Sequence, residues 1–138
     1  MANVFPKQAK AEIVDAWIAE LNWKVALLNS AFIYDHTTDI TYTDVSPHEM
    51  PASGTYAATG IALAGRTGGY VDTHNYYLNA TDVQWTGVTF TNVRYIVVYD
   101  VATGNIRFIF DLGGASSCTN STFDVVWHAD GLVEITSV

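Results

Sequence analysis

The chain has very little cysteine and very little positive charge. Cys118 is its single cysteine, which excludes an internal disulfide framework and a cysteine-rich metal site. Only six lysines and arginines stand against 14 acids, giving a formal charge of -8. This balance argues against a nucleic-acid partner, because neutralising phosphates requires clustered lysine and arginine. It argues equally against binding to an anionic membrane surface.

Long hydrophobic runs are absent as well. No stretch approaches the roughly 20 consecutive apolar residues of a membrane-spanning helix. Residues 1–6 lack the cationic and apolar regions of a signal peptide, so we expect no secretion by that route. The chain of 138 residues is nevertheless 49% hydrophobic, which is enough to bury a sizeable core and predicts a folded protein.

One segment has helical periodicity. Apolar residues recur at helical spacing in residues 7–21, and Pro6 precedes them at a position where its missing N–H does no harm. We predict one amphipathic helix, which either packs on the core of its own domain or contacts a neighbouring subunit. The predicted organisation is an N-terminal arm and helix over residues 1–22 and a single β-sandwich domain over residues 23–138.

After this helix, the sequence consists of short β-rich runs separated by glycine, asparagine, aspartate and serine. Such a pattern is typical of a sandwich or barrel. The predicted fold class is therefore all-β (β-sandwich or barrel-like) with one N-terminal amphipathic helix. Residues 29–54 are predicted to form an ordered loop with one helical turn near residues 46–50. The predicted strands are Trp23–Leu28, Gly60–Arg66, Tyr70–Leu78, Val83–Thr91, Val93–Tyr99, Ile106–Leu112, Phe123–His128 and Leu132–Thr136.

Two hairpins are predicted with their registers. In the first, Tyr99 pairs with Ile106, which gives one wholly apolar face and one face with an opposite-charge pair. In the second, residues 129–131 form a three-residue loop. The further predicted pairs are Val97 with Phe108, Ile96 with Ile109, Arg94 with Asp111, Trp127 with Val133 and Val125 with Ile135.

Residues that carry catalysis or bind metals form no recognisable motif. His36, with Asp35, Asp39 and Asp44 in the same loop, is the nearest approach to a metal site, but the spacing of a calcium loop is missing. Cys118 has no cation nearby in sequence to stabilise a thiolate. No two acids stand out as the carboxylate pair of a glycoside hydrolase. We therefore predict no catalytic residue, no metal, no cofactor and no enzymatic activity.

Tyrosines in or beside the predicted loops suit two different roles. Rigid aromatic surface serves either stacking on sugars or a protein interface. A sugar site needs two or three rings on one exposed platform with polar side chains beside them. The tyrosines concerned are Tyr34, Tyr42, Tyr56, Tyr70, Tyr76 and Tyr77.

Several segments, in their order along the chain, resemble a family of small tailed-bacteriophage virion proteins. The likeness covers nearly the whole chain and lies in strands and turns. Residues 47–53, which contain Pro47 and Pro51, depart from the family's plainer turn. The segments are Lys24–Ser30, Asp44–Ser46 with Glu49, Gly54–Leu63, Thr81–Trp85, Val93–Asp100 and Ser121–Leu132.

The resemblance implies a virion structural protein, most simply a capsid decoration (cement) protein that binds and stabilises the head shell. It implies the major capsid protein as partner, a homo-oligomer or symmetric cluster on the capsid surface, and synthesis in the host cytoplasm. Two alternatives stay open: a tail or head–tail connector component, and a carbohydrate-binding β-sandwich module. The candidate interface residues are Val4, Phe5, Ile13, Trp17, Tyr34 and Tyr42.

Overall fold

The computed structural model describes residues 6–20, 22–70, 75–129 and 131–135. The candidate interface residues Val4 and Phe5 lie outside these ranges. The elements, in chain order, are helix α1 (Lys7–Ala19), strand β1 (Trp23–Asn29), helix α2 (Tyr42–Val45), a 3₁₀ turn (Ser46–His48), β2 (Ile61–Ala62), β3 (Thr67–Tyr70), β4 (Tyr76–Asn79), β5 (Val83–Asp100), β6 (Ile106–Val125) and β7 (Val133–Ile135).

The predicted fold class is confirmed. Strands dominate the described residues and form two antiparallel sheets, and α1 lies at the N-terminal end of the chain. The chain divides into two compact units, each built from separate segments. Unit 1 comprises Met1–Leu21, Leu63–Asp82 and Val126–Val138, and unit 2 comprises Asn22–Ala62 and Val83–Val125.

Unit 1 contains helix α1 and the sheet β3-β4-β7. The helix packs on β3 and β4 and buries Ala11 and Val14. Its last carbonyls are capped by the Arg66 guanidinium, which donates to the Trp17 carbonyl at 3.3 Å and to the Glu20 carbonyl. These bonds satisfy carbonyls at the end of α1, which stops at Ala19, two residues before the predicted end.

The grouping of α1 with a sheet differs from the organisation expected from the sequence. There, the arm and helix over residues 1–22 stand apart from a single domain over residues 23–138. In the structure the helix shares one compact unit with three strands drawn from residues 67–70, 76–79 and 133–135.

Unit 2 contains the sheet β2-β1-β5-β6. Residues 25–28 of β1 are fully buried, so both faces of this central strand are covered. The long loop that follows β1 adds part of the core, and it contains α2 and the 3₁₀ turn close to the predicted helical turn. One core cluster consists of Ala26, Leu28, Phe32, Val45, Val97 and Tyr99.

Some strands are longer than predicted and others are shorter. The two strands predicted over residues 83–99 are one strand, β5, and β6 runs for 20 residues. Both strands continue through β-bulges, which absorb extra residues without ending the ladder. The single strand predicted over residues 70–78 is wrong, because Tyr70 and Tyr76 belong to paired strands β3 and β4. The strand predicted over residues 60–66 shrinks to Ile61–Ala62.

The register of the first hairpin is correct at its first pair and wrong beyond it. Tyr99 pairs with Ile106, but Val98 then pairs with Phe108, so Arg107 is the extra residue of a β-bulge. The pairs from Val98 back to Tyr95 are shifted by one, so that Val97 faces Ile109 rather than Phe108, and a further irregularity places Val93 opposite Ser116. A bulge next to a turn inverts which side chains share a face.

The second hairpin is wrong in both predicted pairs. Val125 pairs with Val83, so β6 ends there on β5. β7 pairs with β4 rather than with β6, placing Val133 opposite Leu78. The chain instead turns between His128 and Gly131, where the Gly131 N–H donates to the His128 carbonyl at 2.8 Å.

Candidate functional site: a tyrosine–glutamate network and an aromatic groove

The candidate interface residues inside the described ranges differ in exposure. Ile13 on α1 is 36% exposed and Tyr34 is 55% exposed. Trp17 and Tyr42 are half-buried. Ile13 and Trp17 belong to unit 1, and the two tyrosines belong to unit 2.

Tyr42 is part of a hydrogen-bonded network centred on Glu49 in unit 2. The Tyr42 hydroxyl donates to Glu49 Oε2, and its ring stacks on Tyr99 with the centroids 4.4 Å apart. The buried Tyr56 donates to Glu49 Oε1 at 2.8 Å, and the Thr59 N–H donates to the same oxygen at 2.7 Å. Three donors therefore hold one carboxylate.

The network fixes an unusual backbone conformation at Thr59. This residue has φ +74°, which is costly for a β-branched side chain. Its carbonyl accepts from the Tyr99 hydroxyl at 2.8 Å, and its hydroxyl accepts from Lys24 Nζ at 2.8 Å. Together with the bond to Glu49, these contacts hold the turn that leads into β2.

The tyrosines of the network are kept protonated. Burial raises the pKa of Tyr42, Tyr56 and Tyr99, and the nearby Glu49 carboxylate raises each further. They therefore act as hydrogen-bond donors, Tyr42 and Tyr56 to the Glu49 carboxylate and Tyr99 to the Thr59 carbonyl. The arrangement suits holding the loop to the sheet.

An open groove of about 500 Å³ lies in unit 2, between the loop after β1 and the beginning of β6. Its size falls in the range of small-ligand sites. Three aromatic, three aliphatic and three charged side chains line it: Tyr34, Tyr95 and Phe108; Ile40, Ile106 and Ile109; Asp39, Arg107 and Asp111.

The loop wall of the groove is held by its own side chains. Asp39 accepts from the Asp35 N–H at 2.6 Å, and Asp35 accepts from the Thr37 N–H at 2.8 Å. The loop is tied to the strand by the Ile106 N–H, which donates to the Ile40 carbonyl at 3.0 Å. The groove is therefore formed before any ligand arrives.

The strand wall carries an ion pair. The Arg94 guanidinium makes two bonds to Asp111, at 3.1 and 3.0 Å, as the sequence pairing predicts, although Tyr95 is now the residue directly opposite Asp111. These bonds lower the pKa of Asp111. The Gly113 N–H also donates to this carboxylate at 2.9 Å. Asp111 is thus ionised and fixed in orientation.

The acids that came closest to a metal site in the sequence instead form hydrogen bonds within the loop after β1. Asp44 closes a capping box with Thr41 at the start of α2, and Asp35 and Asp39 bond to neighbouring backbone groups. In the part of the chain that the structure describes, no three histidine, cysteine or acidic side chains group so as to hold a metal ion. Among the same residues, no helix has the length and apolar character to cross a membrane.

We expect the folded state to weaken in acid. Hydrogen bonds from Thr37 and Thr41 lower the pKa of Asp35 and Asp44 below the ordinary value of 3.8. The ionised carboxylates of Asp35 and Asp44 stabilise the folded state fully above pH 3.8. This stabilisation is lost as the pH falls through their lowered pKa values, because protonated carboxyls accept these bonds poorly. Thermal unfolding at about pH 5 and about pH 2.5 measures the loss.

The variant Asp44→Asn tests the contribution of one of these carboxylates. It should be less stable than the natural protein at the higher pH and should lose less stability on acidification. An equal loss in both proteins would contradict this.

Sequence reasoning singled out Tyr34, Tyr42 and Tyr56 but found neither the groove that Tyr34 lines nor the network that joins Tyr42 and Tyr56 through Glu49. The groove joins residues 34–40 to residues 95–111, and only the fold brings these segments together. A signal for the network did exist, because Glu49 and the Tyr56–Gly60 segment are among the residues of the family resemblance. Family models, curated proteins and solved structures all yield no match to the chain.

Proposed function

We propose that this protein is a structural protein of a tailed-bacteriophage virion, and that it decorates and stabilises the head shell. Its partner is then the major capsid protein, and its copies act as an oligomer or symmetric cluster at repeated shell positions. Weak contacts become lasting when neighbouring copies are held at high local concentration.

The proposal rests on one observation, which is the position in the structure of residues from the segments that resemble the virion proteins. Glu49 accepts hydrogen bonds from Tyr56 and Thr59, and Thr59 in turn accepts from Lys24 and Tyr99. Residues spread over four separate segments thus share one structural task. The resemblance therefore includes residues that hold the fold of unit 2 together, and the proposal rests on that resemblance.

The surface composition supports the same role. The chain has only 14% charged residues, and large apolar side chains such as Ile13, Ile33 and Val126 are exposed on it. Such side chains gain from being covered by another protein. A net charge of -8 also avoids attraction to the packaged genome.

Helix α1 is the element that we propose for contact with the shell. It is anchored through the buried Val14 and the Arg66 cap, and it leaves Ile13 exposed. Deleting the helix would remove Val14 from the core of unit 1. A single exposed substitution therefore tests the contact better than a truncation does.

We expect Ile13→Asp to weaken binding to heads. The substitution buries a charge in the proposed interface, and a loss of about tenfold in affinity corresponds to one disrupted apolar contact. The measurement is co-sedimentation with heads assembled without the chain, from the phage whose genome encodes it. Gln8→Asp is the matched control, since this exposed residue lies about 140° around the same helix from Ile13 and gains the same charge.

Three results would count against the proposal. Equal binding by both variants contradicts the role of α1. If mass spectrometry or a virion map locates the protein only on tails, decoration of the head is wrong and the tail or connector alternative takes its place. A protein missing from purified virions overturns the virion assignment altogether.

A further inference from the structure

The groove in unit 2 has the composition of a carbohydrate site. Tyr34, Tyr95 and Phe108 come from a loop, β5 and β6, respectively, and converge on one open space. Aromatic rings offer apolar faces to the C–H surfaces of a sugar ring. The volume of about 500 Å³ has room for one or two sugar units rather than a long chain.

The polar groups of the groove suit hydroxyl groups. Asp39 and Asp111 are acceptors whose positions are fixed by bonds to the Asp35 N–H and to Arg94. Arg107 adds a donor on the strand side. Acceptors that are oriented in advance bind a hydroxyl with little ordering cost. Rings beside fixed acceptors match a ligand that alternates apolar faces with hydroxyls.

The charges of the groove decide which sugars fit. The groove is lined by Asp39, Asp111 and Arg107, Asp111 is already paired with Arg94, and the whole chain carries a charge of -8. Phosphorylated or acidic sugars would be repelled by this surface. The ligand class is therefore a neutral hexose or N-acetylhexosamine unit.

We infer that the groove between residues 34–40 and 106–111 binds a neutral carbohydrate, with Tyr34 as the exposed stacking ring. This activity goes beyond a role in the head shell and does not depend on it.

The test is titration of the full-length protein with maltohexaose, cellohexaose and chitohexaose, followed by calorimetry. We expect at least one of them to bind with a Kd below about 1 mM. Tyr34→Ala should weaken that binding about tenfold, because the stacking surface is lost. Tyr70→Ala is the matched control, since Tyr70 is also an exposed tyrosine, 44% accessible, but belongs to unit 1.

A second measurement keeps the outcome clear. Amide chemical shifts should change on residues 34–40 and 106–111 when the sugar is added. Binding that Tyr34→Ala and Tyr70→Ala weaken equally, or shifts elsewhere, would overturn the assignment. So would binding of none of the three oligosaccharides, or binding of polygalacturonate alone. Head binding by the Tyr34→Ala protein tests the virion role separately.

Discussion

Replacing Gly60 with alanine is expected to destabilise unit 2 by about 4 kcal/mol or more. Gly60 has φ +78°, and a Cβ built on it would lie 1.9 Å from the Val25 carbonyl oxygen and 2.6 Å from the carbonyl carbon. Both atoms belong to the backbone of the central strand β1, which is fully buried at this point. Relief of the clash requires moving β1 itself, because no flexible side chain can yield.

Gly113→Ala is the matched control for this substitution. Gly113 has φ +84°, yet a Cβ there would meet nothing within 4 Å. The substitution Gly113→Ala therefore has only the conformational cost of an alanine in the left-handed region, about 1 to 2 kcal/mol. Urea unfolding followed by tryptophan fluorescence compares the two. If the two variants lose similar stability, close packing of Gly60 on β1 is not what fixes this turn.

The fold class was predictable because it depends on composition and turn spacing, whereas the register was not. The residues Ile96–Tyr99 are all buried, so both faces of β5 are covered there. Alternation along such a strand carries no information about which side faces the core. The bulge at Arg107 has no sequence signature of its own, and it shifts every pair that follows.

The Arg94–Asp111 ion pair was predicted correctly in spite of that shift. A guanidinium on a long side chain reaches across to a carboxylate one position away from the direct partner. Charge pairing thus tolerates an error of one residue, whereas apolar cross-strand pairing does not. The side chains of the pair are 37% and 44% exposed, so it adds little to stability and chiefly orients the groove wall.

Single residues of the candidate sites could be predicted from the sequence, but not which residues come together. Tyr34 stands out in the sequence as an aromatic residue in a polar loop, and the structure leaves it exposed. The other two aromatic residues of the groove, Tyr95 and Phe108, lie 61 and 74 residues further along the chain, in β5 and β6. Such convergence depends on how the long loop crosses the start of β6, which no local pattern encodes.

Glu49→Ala is expected to lower the free energy of unfolding by about 3 kcal/mol. The substitution removes the acceptor of the Tyr42 and Tyr56 hydroxyls and of the Thr59 N–H. Tyr56 is only 1% exposed, so its hydroxyl loses this partner without gaining water. Hydrogen bonds to a charged acceptor are worth more than neutral ones, and leaving a buried donor unsatisfied adds the cost of its desolvation.

Glu12→Ala is the control, because Glu12 is exposed on α1 and accepts a long bond of 3.4 Å from Gln8. We expect it to change stability by less than about 0.5 kcal/mol. Glu49→Gln should fall between the two, since its amide oxygen still accepts bonds without the charge. A double-mutant cycle of Glu49→Ala with Tyr42→Phe, measured by urea unfolding, isolates their direct interaction. Strictly additive losses in that cycle, or a loss below about 1 kcal/mol for Glu49→Ala alone, would mean that the carboxylate does not hold the loop to the sheet.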